Sequence, residues 1–130
     1  MNRVVTLLIL LLFIAGCSKG VSVDGRVVFE DGTPLTRGEV RFVSGGKMFS
    51  GPIMKDGTFV MQGPTPNSGI EPGTYDVSIT GAVEIESGGK DDPYGKSRSL
   101  IAQKFADPQT SGLTCTVKGK ETVEFKVAPP

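Results

Sequence analysis

The chain has 130 residues, of which 14 are basic and 14 acidic, so its formal net charge is zero. There is no basic excess to attract a nucleic acid or an anionic lipid surface, and we expect no nucleic-acid partner. The chain also contains no histidine, the side chain most used for acid–base catalysis near neutral pH and the commonest metal ligand. We therefore expect no metal or other cofactor.

The N-terminal segment has the layout of an export signal. Arg3 and the amino terminus precede a strongly apolar run from Val4 to Ile14, which two small residues, Ala15 and Gly16, follow. A run of about 11 residues is too short to cross a hydrocarbon core about 30 Å thick as a helix. A positive start, a short apolar run and small residues behind it are typical of a secretory signal. We predict that residues 1–16 are a signal peptide.

The four residues that close this segment are more specific. Ile14-Ala15-Gly16-Cys17 resembles the bacterial lipobox, in which the cysteine is thioether-linked to diacylglycerol, the signal is removed and the new amine is acylated. The resemblance implies lipidation of Cys17, with residues 17–20 as a lipidated linker. Two or more acyl chains anchor a protein stably to a membrane. The alternatives are an ordinary secretory signal with a cysteine there by chance, or a buried core segment.

The mature chain would carry a small negative charge and one further thiol. Removal of residues 1–16 takes Arg3 with it and leaves 13 basic and 14 acidic residues. Ser18 stands where an aspartate would be the usual signal for inner-membrane retention, so the sorting pattern favours the outer membrane. With Cys17 modified, Cys115 has no intrachain disulfide partner. We expect it to be a buried small hydrophobe; a reactive or partner-bridging thiol is the alternative.

The rest of the chain alternates apolar and polar residues in short runs, which is typical of half-buried strands. Seven such runs are separated by turns rich in glycine and proline, with no long amphipathic helix between them. They span 21–29, 39–43, 47–54, 59–61, 73–80, 113–117 and 122–127. Because each strand offers one apolar face that needs covering, we predict an all-β domain, a seven-stranded Greek-key β-sandwich over residues 21–128.

Two connections stand out between these strands. Asp56-Gly57 is the strongest hairpin signal in the chain, because it tolerates the positive φ angles of tight two-residue turns. The segment 83–111 shows no clear strand alternation, and its spacing of apolar residues predicts a short helical turn near residues 99–106. A loop of this length inside a compact domain is usually functional or disordered.

Several motifs in order resemble carboxypeptidase regulatory-like domains. They are Gly25-Arg26-Val27-Val28, Asp31-Gly32-Thr33-Pro34-Leu35, Val40-Arg41-Phe42, 55–59 and 71–77, and the segments 101–108 and 110–114 look like the C-terminal signature of small bacterial lipoproteins built on this domain. The resemblance implies a transthyretin-like (prealbumin-like) sandwich. Enzymes with related folds use histidine-containing sites, which this chain lacks. Tyr75, the first inward residue of its strand, is expected to hydrogen-bond loop backbone as in a tyrosine corner.

Two motifs suggest chemistry that we do not expect. Gly95-Lys96-Ser97 lacks the glycine spacing of a phosphate-binding loop, and Asp91-Asp92 precede it with charges that repel phosphate. The same aspartates with Glu84 and Glu86 offer oxygen ligands for calcium, but without the spacing of a calcium loop. A solvated acidic loop is the interpretation we favour for them.

These observations predict a membrane-anchored envelope lipoprotein that is not an enzyme. We expect a binding or structural module that contacts an envelope protein or a glycan, with its site on loops such as 83–111. One alternative is a glycan-active enzyme that uses two carboxylates about 5–10 Å apart in a pocket. The other is a purely structural spacer.

Overall fold

A computed structural model of the chain describes residues 20–65, 68–86, 88 and 95–130. The predicted signal peptide, Cys17 and the acidic pair Asp91-Asp92 lie outside these residues. Within the described part of the chain, no helix has the length and apolar character needed to cross a membrane.

The described residues form nine strands and one short 3-10 helix, so the all-β prediction is confirmed. The strands are β1 (Val23–Phe29), β2 (Glu39–Ser44), β3 (Lys47–Pro52), β4 (Thr58–Val60), β5 (Gly73–Thr80), β6 (Val83–Glu86), β7 (Lys96–Ser99), β8 (Leu113–Val117) and β9 (Glu121–Val127). The 3-10 helix spans Gln103–Ala106.

Seven of these strands form the two sheets of the sandwich. The first sheet has the order β4-β1-β9 and the second the order β3-β2-β5-β8. Strands β1 and β9 run parallel, in register from Val23 opposite Glu121 to Phe29 opposite Val127. The other described neighbours in these sheets are antiparallel. The first and last strands of the domain therefore lie side by side, while its Greek-key connectivity stays a prediction.

The core lies between the two sheets and follows the predicted alternation. The buried positions of the strands include Val23, Val27, Phe59, Phe125 and Val127 from the first sheet and Val40, Phe42, Tyr75, Val77 and Ile79 from the second. Phe42 joins the layers, because its ring centroid lies 5.6 Å from that of Tyr75 in its own sheet and 6.1 Å from that of Phe125 opposite. Such aromatic pairs contribute about 0.5–1.5 kcal/mol each beyond the area they bury.

The Asp56-Gly57 turn forms, but it does not join two paired strands of one sheet. Gly57 has φ of +84° and donates its N–H to the Met54 carbonyl at 2.9 Å. Strand β4, which follows the turn, pairs with β1 and not with β3. Across the turn Met54 donates its N–H to the Thr58 carbonyl at 2.8 Å, and farther along Gln62 donates to the Ser50 carbonyl of β3 at 2.9 Å. The two sides of the predicted hairpin thus meet through these isolated bonds, while the strand ladder of β4 is formed with β1. Phe59 explains the outcome, since its ring stacks on Phe125 of the first sheet at 6.0 Å.

The segment 83–111 contains structure that the sequence analysis missed. Strands β6 and β7 pair antiparallel from Val83 opposite Ser99 to Glu86 opposite Lys96, as a separate two-stranded sheet. Farther along, the helical turn predicted near 99–106 is present as the shorter 3-10 helix, which buries Phe105. The prediction of a strandless segment is therefore wrong. Strands β6 and β7 have four residues each and bury no face, so the brief alternation of Val83 and Ile85 with the glutamates is too short to identify a strand.

Candidate functional site

Tyr75 has the structural role expected of it. Its side chain is only 2% exposed, and its hydroxyl donates to the Glu71 carbonyl at 2.6 Å. Burial, followed by the negative charge of Glu71, raises the pKa of the phenol above its ordinary value. The hydrogen bond ties the loop before β5 to the core, as a tyrosine corner does.

Cys115 is a buried thiol on β8, as predicted. It is 7% exposed and is the free cysteine of the described residues. Burial is the main cause that raises its pKa, with the charge of Glu121 as a smaller one. A thiol held in its neutral form is a poor nucleophile and a poor metal ligand, so the packing role is favoured over a reactive one.

The hairpin of β6 and β7, here called the exposed hairpin, lies where the sequence placed a candidate recognition segment. All eight of its strand residues are exposed. It is held at its base, where Leu100 donates its N–H to the Ala82 carbonyl at 2.8 Å and Arg37 Nη1 donates to the Val83 carbonyl at 3.3 Å. An isolated two-stranded hairpin is only marginally stable in water, so the contacts at its base are needed to hold it in place.

One face of the exposed hairpin is charged. Arg98 lies opposite Glu84, with Nη2 to Oε2 at 3.0 Å, and its Nη1 lies 3.7 Å from Glu86 Oε1. All three side chains are about half exposed or more, and exposed ion pairs contribute only about 0–1 kcal/mol. Their consequence is chemical, since the guanidinium of Arg98 pairs with both of the glutamates that the calcium alternative used as ligands. Nowhere in the described ranges do three or more His, Cys, Asp or Glu side chains form a group that could hold a metal.

The other face of the exposed hairpin is apolar and hydroxylic. Val83 and Ile85 alternate with the glutamates and share this face with Ser97 and Ser99, their cross-strand partners. Ile85 is 68% exposed and Val83 37%, and neither belongs to the core cluster. Together they form a small contiguous apolar patch, the kind of feature that marks a contact surface when it is large enough.

The Gly95-Lys96-Ser97 motif lies on this hairpin and not on a phosphate-binding loop. Gly95 has φ of +68° and precedes β7, whose first two residues are Lys96 and Ser97. A phosphate-binding loop requires a helix at this point, whose N-terminal amides hold the anion. The expectation that the motif has no phosphate chemistry agrees with its strand geometry.

Three surface clefts are lined by described residues. Two adjoin each other near Gly20, share Pro64 and Gly69, and have volumes of about 740 and 400 Å³. The smaller one contains the ion pair of Lys47 and Glu71, and hydrogen bonding to Glu71 raises the pKa of Lys47. Their place next to Gly20 puts both clefts at the end of the sandwich where the chain enters from the predicted anchor.

The third cleft, of about 610 Å³, lies between β8 and β9 and is lined by residues 112–116 and 123–126. Glu124 is the acidic residue that lines this third cleft. Of the two clefts near Gly20, the smaller is lined by one acidic residue, Glu71, and the larger by none. None of these three clefts is therefore lined by the pair of carboxylates that the glycan-active alternative requires.

No protein-family model and no curated protein matches this chain. Among solved structures, BcpA, the major pilin subunit of Bacillus cereus, is similar with a TM-score of 0.50 and 12% identity, over 86% of this chain and 31% of the pilin. A DUF3823 family protein from Bacteroides ovatus has a TM-score of 0.49 and 15% identity, over 85% of this chain and 45% of its own. The chain thus spans less than half the length of either. At this identity the pilin shows a shared β-sandwich fold alone.

Proposed function

We propose that this chain is a lipid-anchored, non-enzymatic β-sandwich module of the bacterial cell envelope. The membrane tether is the lipid on Cys17, and the exposed hairpin is the surface that contacts an envelope protein or a glycan. The observation that carries the contact role is the uncovered apolar face of Val83 and Ile85 on a hairpin outside the core. A passive spacer has no need for such a face.

The order of strands supports the finer assignment to a carboxypeptidase regulatory-like, transthyretin-like domain. Strand β1, with the motif Gly25-Arg26-Val27-Val28, pairs with β4, which begins inside the motif 55–59, and β2 pairs with β5, which begins inside the motif 71–77. The parallel pairing of the first and last described strands is the further support. A protein with a similar fold is the major pilin subunit of B. cereus, which supports a structural role at the cell surface. No catalytic chemistry needs to be assigned to any described cleft.

The anchor is tested by replacing one thiol at a time. We expect mass spectrometry of the membrane fraction to find a mature chain that begins at Cys17 and carries diacylglycerol and a further acyl chain. Cys17→Ser should block processing and lipidation, whereas the matched Cys115→Ser should leave both intact. Unchanged maturation and membrane retention of Cys17→Ser would contradict the anchor.

The destination is tested at the next residue. Ser18→Asp introduces the residue that the sorting pattern associates with retention in the inner membrane. We expect the unaltered chain in the outer-membrane fraction of a two-membrane cell, and the Ser18→Asp chain in the inner-membrane fraction. Identical fractionation of the two chains would remove the support for an outer-membrane destination.

The contact role is tested by photo-crosslinking in intact cells. A photoreactive residue at position 85 reports on the exposed hairpin, and one at position 48 is the control. Met48 is also exposed, at 58%, but it pairs with Val43 at the end of β2 opposite the end where Glu39 pairs with Thr80, next to the hairpin. We expect discrete protein or glycan adducts from position 85 that are absent at position 48. The same adduct pattern at both positions, with an envelope defect on deletion of the protein, would favour the spacer.

A further inference from the structure

Strand β9 presents an edge at the rim of the third cleft. In the described part of the first sheet it has a neighbour on one side only, which is β1. Strand β8, on the opposite rim of the cleft, is likewise the last strand of its sheet. An edge strand carries a row of N–H and C=O groups that can pair with a further strand.

The hydrogen bonds at the two ends of β9 show which backbone groups face this edge. Glu121 donates its N–H to Ser22 beside β1 at 3.1 Å, so the odd-numbered residues of β9 point toward β1 and the even-numbered ones away from it. Ala128 follows the same alternation, because its carbonyl accepts from Ala102 on the outer side at 2.9 Å. The backbone N–H and C=O groups of Thr122, Glu124 and Lys126 thus lie along the free edge. The edge stops at residue 128, whose carbonyl is already bonded to Ala102.

The side chains of this stretch have a self-complementary order. Glu124 and Lys126 are exposed on the outer face, while Phe125 between them is buried and Val123 and Val127 flank it on the inner face. In an antiparallel pair of two β9 strands centred on Phe125, Glu124 of each copy lies opposite Lys126 of the other. Val123 then lies opposite Val127, so apolar residues meet on the inner face.

The neighbouring registers are unfavourable. A shift of one residue places outer-face charges beside inner-face apolar residues, since side chains alternate with period two. A shift of two residues places either Glu124 opposite Glu124 or Lys126 opposite Lys126, and like charges directly opposite each other are destabilising. Of these registers, only the one centred on Phe125 places apolar residues opposite apolar residues and opposite charges opposite each other.

We infer that the chain forms a two-fold homodimer in which the β9 edges of two copies pair antiparallel, centred on Phe125. Glu124 and Lys126 both direct their backbone groups to the edge, as a hydrogen-bonded antiparallel pair requires. The result is a six-stranded sheet of order β4-β1-β9-β9-β1-β4. The occupant is a second copy because the charge pattern complements itself, and two-fold closure covers both β9 edges at once.

The test is the state of association of the full chain, expressed with its own N-terminal segment and measured by analytical ultracentrifugation in a mild detergent at low salt. Five residues a side make a short ladder, so we expect a weak dimer at high protein concentration. Glu124→Lys and Lys126→Glu each turn both cross-strand pairs repulsive and should weaken dimerisation by roughly 30-fold or more. The matched controls Glu30→Lys and Lys55→Glu change the same charges at exposed turn positions and should leave the dimer intact.

Mixing the two single variants separates this pairing from a general effect of charge. Each variant alone carries like charges at positions 124 and 126, but a mixed pair again places Lys opposite Glu at both positions. We expect the mixture to dimerise, with the two differently tagged chains in one particle, and high salt to reduce this recovery. Circular dichroism checks that each variant is folded. A monomeric unaltered chain, dimers indifferent to both substitutions, or a mixture of folded variants that stays monomeric would overturn the inference.

Discussion

At the scale of single residues, one hydroxyl connects the loop before β5 to the core. Tyr75→Phe keeps the ring that packs on Phe42 and removes the hydrogen bond to the Glu71 carbonyl. We expect the free energy of unfolding to fall by about 1 kcal/mol, the usual net contribution of such a bond. Tyr75→Ala, which also removes the ring, should cost about 3–5 kcal/mol. Urea unfolding followed by circular dichroism measures both, and equal losses would contradict a separate role for the hydroxyl.

Stability should also fall at alkaline pH. Burial raises the pKa of both Cys115 and Tyr75 above their ordinary values of 9.0 and 10.0. The folded state therefore holds these protons more tightly than the unfolded state, so their stabilisation is complete below pH 9.0 and is lost as the pH rises through the folded-state values. Unfolding followed against pH should show this decline, and it should be shallower in a chain with Tyr75→Phe and Cys115→Ala. If stability declined identically in the unaltered chain and in the double variant, the decline could not be assigned to the two buried protons.

Gly57 combines a left-handed backbone with close packing. Its φ is +84°, and a Cβ there would lie 2.8 Å from Pro34 Cβ and 2.9 Å from the Val27 carbonyl oxygen. Gly32 is a matched control, since its φ is +89° but nothing lies within 4 Å of the corresponding Cβ. We expect Gly32→Ala to cost about 1 kcal/mol from backbone strain and Gly57→Ala roughly 2–4 kcal/mol. Equal losses of unfolding free energy would mean that the close approach of Pro34 relaxes without cost.

At the scale of elements, the exposed hairpin should be dispensable for folding. Ala82 and Leu100 flank the hairpin, and Leu100 already donates its N–H to the Ala82 carbonyl. A two-residue β-turn that joined these residues directly would be closed by the same hydrogen bond. Replacing residues 83–99 with Asn-Gly should therefore keep the two sheets and change the unfolding free energy by less than about 1 kcal/mol.

A matched pair of isoleucines checks this separation between hairpin and sandwich. Ile85 is 68% exposed on the hairpin, whereas Ile79 is 1% exposed on β5. Ile85→Ala should be nearly neutral for stability, and Ile79→Ala should cost about 2–5 kcal/mol. A large loss of stability for Ile85→Ala or for the excised chain would show that the hairpin packs on the domain.

The same contrast explains what could be predicted from the sequence. Strands with an apolar inner face, such as β5 with Tyr75, Val77 and Ile79, carry a period of two that identifies them directly, although Ser78 on the other face of β5 is buried too. The β7 residues Lys96–Ser99 bury nothing, so no pattern marks them, although Val83 and Ile85 on β6 offered a short alternation. The partner of β4 was also beyond local patterns, because it depends on the contact of Phe59 with Phe125, 66 positions apart. The exposed hairpin could therefore be identified only from the structure. The sequence predicted a recognition role for the segment 83–111 because that segment lacks the alternation of a core strand.

At the scale of the whole molecule, the first and last described strands of the sandwich pair with each other. The parallel pairing of β1 with β9 joins residues nearly one hundred positions apart, from Val23 opposite Glu121 onward. Contacts of this kind form only after a large loop closes, so they slow folding without weakening the folded state. The described sandwich should therefore fold as one cooperative unit and not strand by strand from its N-terminal end.

This closure predicts a sharp dependence on the C-terminal strand. Deleting residues 121–130 removes Phe125 and Val127 from the core and leaves β1 with β4 as its remaining described neighbour. We expect the shortened chain to lose its cooperative thermal transition, whereas deletion of Pro129 and Pro130 alone should leave the transition in place, because Ala128 still accepts from Ala102. Phe125→Ala keeps the backbone ladder and should cost about 3–5 kcal/mol, which separates the side-chain share from the strand pairing. A cooperative transition at an unchanged temperature after loss of β9 would mean that the four-stranded sheet and β1–β4 are stable by themselves, and that the parallel pair does not close the domain.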